Sequence, residues 1–318
     1  MTDPLGRRMK RVVRALADPS GWRSLGVVTR IAPGGAMVGI PEPSAVERIV
    51  PPEPVHFDRI PPIIFQTWKS RSDIPGNYRY WRQTIIDRNP EAQVVLWDDE
   101  DNRAFIAKAF PWLLDMYDAF PKEIFRADAV RYLFLFAFGG FYADMDSECL
   151  KPLNLGQRNE AVVLGRMGND PSFEHSVPNA MMASRPGQAF WLLVVQRMID
   201  IFESHPTAEM LLRAGPEELT GPVLLKRSFD EFQRLDDEAL MKRIAPVVRN
   251  LTDRQKETVH IGRVALLDGE TWYPLDWTNP FHKGLRNHLN RNTRLLSPEI
   301  ARWVFPRAEM VTYWSHSW

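Results

Sequence analysis

The chain is predicted to be an α/β protein with a mainly parallel central sheet and additional helices. Three observations predict it. From residue 60 onward, short apolar runs alternate with longer segments of helical periodicity. The alternation is punctuated by breakers, Asn89-Pro90 and Gly139-Gly140. Hydrophobic residues make up 44% and charged residues 25% of 318 positions, an ordinary globular balance with core enough to fold without staples.

The elements follow in order. Residues 1–30 are basic, with Arg7, Arg8, Lys10, Arg11, Arg14, Arg23 and Arg30 against Asp3 and Asp18. Leu5, Met9, Val12, Val13 and Leu16 recur at helical spacing, which predicts a short basic amphipathic helix. It either docks on the main domain or makes peripheral contact with a membrane. The prolines at 33, 41, 43, 51, 52, 54, 61 and 62 prevent regular structure. The chain thus divides into 1–59, a basic helix and linker, and a globular domain at 60–318.

Within that domain, 63–67 reads as a buried strand, 78–88 as a helix and 93–97 as a second strand. Asp99 is expected to cap a helix running to Phe110, with acidic residues in its first turn. Residues 123–138 form a long helix stopped by Gly139-Gly140. Residues 141–143 and 161–165 read as further strands, and 188–203 and 222–232 as helices.

Composition excludes several classes. Lys plus Arg and Asp plus Glu each number 40, so no global field invites nucleic acid. Cys149 is the single cysteine and reads as a small packing residue, without a neighbouring histidine to activate it. The longest apolar run, 132–138, falls far short of a bilayer span, and the N-terminal sequence lacks the apolar stretch of a signal peptide. The expected location is cytoplasmic, with residues 1–30 able to reach the inner membrane face. Phosphate-binding P-loop, dinucleotide Gly-x-Gly-x-x-Gly, zinc-type His or Cys pairs and Gly-x-Ser-x-Gly are all missing.

Chemistry concentrates in 126–153, RADAVRYLFLFAFGGFYADMDSECLKPL. Asp128 and Arg131 lie three apart and share a helix face. Asp144 and Asp146 end a short apolar strand, and side chains two apart in an extended segment point the same way. Two such carboxylates suit Mg²⁺ or Mn²⁺ held together with substrate phosphates. The alternatives are a solvated acidic turn for Asp144-Met145-Asp146 and an internal ion pair for Asp128 and Arg131. Like charges behind an apolar strand are unfavourable without a cation, which sets the metal reading level with these two.

The stretch resembles the sugar-binding region of the Asp-x-Asp glycosyltransferases, family 32, typified by initiating α-mannosyltransferases and related to the glucosylating domains of clostridial toxins. The resemblance is carried by Asp128, Arg131, Tyr132, Gly139, Gly140, Tyr142, Asp144 and Asp146. It extends to IPPIIFQTW at 60–68, to Asn89-Pro90 and Trp97-Asp98, to NAMMAS at 179–184, and to YWSHSW at 313–318. Phe65 and Tyr313 depart from the pattern, each standing where histidine is usual.

The resemblance implies a GT-A-like fold and retaining transfer of a hexose from a UDP- or GDP-sugar donor to a glycan or glycolipid acceptor, in surface polysaccharide assembly. It implies that Asp144 approaches the donor ribose and sugar while Asp146 ligates Mn²⁺ or Mg²⁺. It also implies that Asp128 and Arg131 bind sugar hydroxyls, with Asn179 nearby. Trp68 would stack on the base beside Gln66, and Ser317 and Trp318 would close over the diphosphate, with Ser317 contributing to the metal site. Two other readings stay open: a toxin-like transferase acting on protein, and a non-catalytic module that binds the nucleotide-sugar.

Overall fold

The computed structural model describes residues 58–292 and 298–315, with the two-residue segments 28–29 and 295–296, which pair with each other. The expected helix within 1–30, most of the proline-rich stretch, and Ser317 and Trp318 lie outside the described residues.

The strands are β1 (Ile63–Thr67), β2 (Gln93–Trp97), β3 (Gly140–Ala143), β4 (Ser147–Cys149), β5 (Val162–Gly165), β6 (Met181–Ser184), β7 (Val264–Leu267) and β8 (Met310–Thr312). Six of them form one sheet in the order β2-β1-β3-β6-β5-β7. All run in one direction except β6, which is antiparallel to both neighbours. The α/β class and mainly parallel sheet are therefore as expected. All five residues of β1 are buried, as a central parallel strand covered on both faces requires.

The helices are α1 (Gly76–Arg88), α2 (Asp99–Ala109), α3 (Leu114–Ala119), α4 (Glu123–Phe138), α5 (Ala189–Ser204), α6 (Ala208–Leu219), α7 (Pro222–Phe232), α8 (Asp237–Asn250), α9 (Asp253–Glu257), α10 (Gly269–Trp272), α11 (Pro280–Asn292) and α12 (Pro298–Val304). Alternate residues of β1 divide them into two layers. Ile63 and Phe65 pack with α4, α5, α7 and α8. Ile64 packs with Ile85 of α1, Cys149 of β4 and Trp272 of α10. The ribbon β4–β8 lies with the second layer and pairs antiparallel.

One expected cap moves by a residue. Asp98, in extended backbone, caps α2: it accepts from the Asp101 backbone N–H, and the Asp101 side chain accepts from the Asp98 N–H in return. Asp99 is the first helical residue, where its carboxylate still faces the helix dipole.

Helix α4 is apolar nearly all round and buried, so it runs through the core rather than along the surface. Its end needs both glycines. Gly139 and Gly140 have φ of +66° and +89°, and a Cβ on Gly140 would sit 2.4 Å from the Ile63 carbonyl oxygen. This reversal feeds α4 directly into β3, beside β1.

The departures at Phe65 and Tyr313 are packing solutions. Phe65 stacks on Phe134 at 5.2 Å and meets Trp97 edge-on. Tyr313 stacks on Trp81 at 4.8 Å, and its hydroxyl donates to Glu148 at 2.5 Å.

Cys149 is buried beside Asn89, and burial pushes its thiol up to about 12. A raised thiol has almost no thiolate at pH 8. The folded chain should therefore resist a thiol-modifying reagent at pH 8 and react with one equivalent once denaturant is added. Rapid labelling of the native chain would contradict this packing.

Candidate active site

Strand β3 ends where antiparallel β6 begins, with Ala143 opposite Met181. That edge of the sheet gathers Asp144 after β3 and Asn179 before β6. Helix α4 passes alongside and contributes Asp128 and Arg131. Such crevices at the carboxyl ends of parallel strands are the usual ligand positions of open α/β sheets.

Arg131 is the centre of the arrangement, with its side chain only 2% exposed. Its guanidinium pairs with Asp128 at 2.8 Å and with Asp144 at 3.2 Å. It donates to the Asn179 carbonyl at 2.9 Å and to the Ala127 carbonyl at 3.2 Å. It also lies 4.5 Å from the Tyr142 ring centroid, a cation–π contact. The planar fork of arginine suits this task, since a lysine could not reach so many acceptors in fixed directions.

The remaining contacts lock the network. The Asn179 side-chain amide donates to Asp128 at 3.0 Å and to the Tyr132 hydroxyl at 3.1 Å. Tyr132 donates to the Thr220 carbonyl at 2.7 Å, tying α4 to the turn before α7. Tyr142 donates to Asp144 at 2.8 Å, and the Asp144 N–H donates to the Ala180 carbonyl at 2.8 Å.

Burial raises both acids of the network. Asp128 is pushed up to about 6 and Asp144 to about 7, with Arg131 opposing the shift in each case. The Asp146 charge adds to the rise at Asp144, so the two carboxylates feel each other. Burial works against the Arg131 charge, but Asp144, Tyr142 and Asp128 together hold its pKa above the ordinary value.

Asp144 and Asp146 do not share an extended segment, contrary to expectation. The Ser147 N–H donates to the Asp144 carbonyl at 3.1 Å, so 144–147 is a turn leading into β4. The two side chains accordingly take different partners. Asp146 accepts from the Ser315 N–H at 2.7 Å, the Ser315 hydroxyl at 3.0 Å and the Thr312 hydroxyl at 3.2 Å. The segment after β8 thus orients the second carboxylate.

A cleft of about 260 Å³ opens over this network. Asp128, Arg131, Asp144 and Asn179 line it, together with His175, Trp277 and Trp314. The structure therefore brings together four of the expected site residues, with Asp146 one turn from Asp144. Gln66 and Trp68 are elsewhere. Gln66 is buried on β1, where its side-chain oxygen accepts from Arg82 at 2.7 Å. Trp68 is 3% exposed, packs on Tyr78 at 4.7 Å and donates its indole N–H to the Asp73 carbonyl. Sequence reasoning missed Thr312, Ser315 and Trp277. Ser315 and Trp314 sit inside the 313–318 motif, but no periodicity marks which of its residues face the cleft.

Among the described residues, no group of three or more His, Cys, Asp or Glu side chains converges on one point. The donor set offered is two neighbouring carboxylates, one of them raised by burial and by the charge of the other. That fits a hard divalent ion taking its further oxygens from phosphate and water. Asp144 and Asp146 would hold it.

Residues 75–162 match the family described as the glycosyltransferase sugar-binding region containing the DXD motif. Inositol phosphoceramide mannosyltransferase 3 of Schizosaccharomyces pombe is 31% identical over 217 residues, covering 68% of this chain and 57% of that protein. Mannosyl phosphorylinositol ceramide synthase CSH1 of Saccharomyces cerevisiae is 29% identical, covering 72% of this chain and 57% of that protein. The initiation-specific alpha-1,6-mannosyltransferase of Candida albicans is 36% identical over 110 residues, or 33% of this chain and 29% of that protein. The chain spans a little over half the length of the first two. Among solved structures, the PaToxG glycosyltransferase superposes with a TM-score of 0.43 at 15% identity, covering 64% of this chain and 84% of that one. With Asp128, Arg131, Asp144 and Asp146 all inside the matched segment, the chain carries the sugar-binding region of the DXD glycosyltransferases and resembles family 32.

Proposed function

We propose that the chain is a metal-dependent, retaining glycosyltransferase that moves a hexose from a nucleotide-sugar to a hydroxyl of a glycolipid or glycan. The observation that carries the reading is the buried Asp128–Arg131–Asn179 network at the base of an open cleft, with the half-buried Asp144 paired to Arg131. A buried charged network is costly unless fully paired, and here each member has a partner. The network places fixed acceptors and donors at the cleft floor, as directional recognition of sugar hydroxyls needs. The names of the relatives point to mannose as the sugar and to an inositol-bearing sphingolipid as one acceptor.

In this reading Asp128, fixed by Arg131 and Asn179, accepts from a sugar hydroxyl and orients the ring. Arg131 holds Asp144 in register without needing to move. A divalent ion bound at Asp144 and Asp146 would offset the charge gathering on the leaving diphosphate. Tyr142 fixes which Asp144 oxygen stays turned inward. Location at a membrane through residues 1–30 belongs to the same proposal. Among the described residues, no helix is long and apolar enough to cross one.

The test is a panel of UDP- and GDP-sugars, followed by release of nucleotide with Mn²⁺, with Mg²⁺ and with chelator. One donor should be hydrolysed in the presence of metal and spared in chelator. Undiminished turnover in chelator would remove the metal from the reading. No thermal shift or turnover with any donor would remove the donor.

A further inference from the structure

We propose that the aromatic part of the cleft lining, Trp277 and Trp314 with His175, is an acceptor subsite that takes the C–H face of a six-membered polyol ring, whether sugar or cyclitol. The inference rests on the donor reading above and adds the place of the second substrate.

The cleft has two chemically distinct parts. Its charged groups, Asp128, Arg131 and Asp144, are committed to one another at the base. Arg131 is the one lysine or arginine in the described lining. It is already paired with Asp128 and Asp144. The aromatic residues His175, Trp277 and Trp314 are half-buried, as is Asp144, whereas Asp128, Arg131 and Asn179 are buried. Aromatic faces with few polar atoms recognise the apolar side of a polyol ring, and the flanking Glu217 can accept from its hydroxyls.

The aromatic surface is rigid. Trp314 stacks on Tyr273 at 5.7 Å and 18°, and its indole N–H donates to the Leu275 carbonyl at 3.0 Å. Trp277 meets Trp314 edge-on at 4.7 Å, and His175 lies 5.6 Å from Trp277. Tyr273 in turn bonds both the N–H and the carbonyl of Met181, the first residue of β6, just after Asn179. The aromatic and polar parts of the lining are thereby fixed to one strand end.

Trp314 also has φ of +51°, a left-handed backbone rare for a bulky residue. The next residue is Ser315, whose N–H and hydroxyl hold Asp146. Strain at a residue that lines a cleft while its neighbour positions a carboxylate is a mark of function. The same turn sets the ring at the cleft and aims Asp146.

The experiment uses the full chain as native protein, Trp277→Ala and Trp277→Phe. Saturation-transfer NMR with methyl α-mannopyranoside and with myo-inositol, in the presence of nucleotide, reads contact with ring C–H protons. The native chain should transfer saturation to one probe, and the arm that responds separates sugar from cyclitol. Trp277→Ala should weaken that binding about tenfold, the size of one good aromatic contact, and Trp277→Phe should recover part of it. In steady-state transfer the rise should fall on acceptor KM and not on donor KM. No saturation of either probe by the native chain overturns the subsite, as does an unchanged signal in both variants or a donor KM that rises in step. If the native chain hydrolyses no nucleotide-sugar, the donor reading fails on its own, while probe binding still decides the aromatic surface.

Discussion

Asp146→Asn is expected to reduce turnover by about 10²- to 10³-fold while leaving the fold intact, the scale for losing one dominant electrostatic group. The amide keeps the shape of the carboxylate: its oxygen can still accept from the Ser315 N–H and hydroxyl, and its NH2 can donate to the Thr312 hydroxyl, which is able to reverse its role. What disappears is a negative oxygen for the ion. The deficit should therefore appear in kcat at saturating donor, with an increased Mn²⁺ requirement. Circular dichroism and Tm should remain within error of the native protein. Full activity of this variant would sink the metal-dependent reading.

Arg131→Met should act in the opposite sense, on stability first. The side chain is buried, and its loss strands Asp128 and Asp144 without their cation. Breaking a buried pair from one side costs about 3–5 kcal/mol, which for a domain of this size lowers Tm on the order of 10 °C. The deficit should depend on pH. Burial already raises Asp128 from 3.8 to about 6 and Asp144 from 3.8 to about 7, and removing Arg131 raises both further. An acid whose folded pKa is raised contributes stability that is present below 3.8 and lost as pH rises through the folded value. The variant should thus lose less Tm at pH 5 than at pH 8. A deficit of equal size at both would mean that the carboxylates are stabilised by something other than Arg131.

The parts of this molecule that were legible in its sequence share a physical property: they are set by local pattern. Strands β1 and β2 were readable because five apolar or β-forming residues stand between breakers. Helix α4 was readable because its sixteen residues end at two glycines that no other residue could replace without collision. The Asp128–Arg131 pair followed from helical spacing alone. What was not legible depends on distant contacts. The bend at 144–147 is set partly by β8, which pairs with β4 from the far end of the chain. Strand β6, Met-Met-Ala-Ser, lacks β-branched residues and owes its state to burial between β3 and β5. Trp277 lies in a loop without periodicity, and only the fold brings it to the cleft. The placement of Trp68 follows from the same kind of long-range packing, beneath α1.

The hold of Thr312 on Asp146 spans 166 residues of chain, whereas the bond from Thr67 to the Trp97 carbonyl beside it in the sheet spans 30. Closing the longer loop costs about 1.5 kcal/mol more in chain entropy. Nothing local rewards that closure until β4 and β8 have met, so the second carboxylate is aimed only after the sheet has formed. A chain arrested before that meeting would hold the layer of α4, α5, α7 and α8 with Trp97 and Trp191 buried. It would lack Met310, Val311 and Tyr313 in the other layer and leave Asp146 unaimed, so the recovery of turnover would lag the burial of Trp97 and Trp191 during refolding.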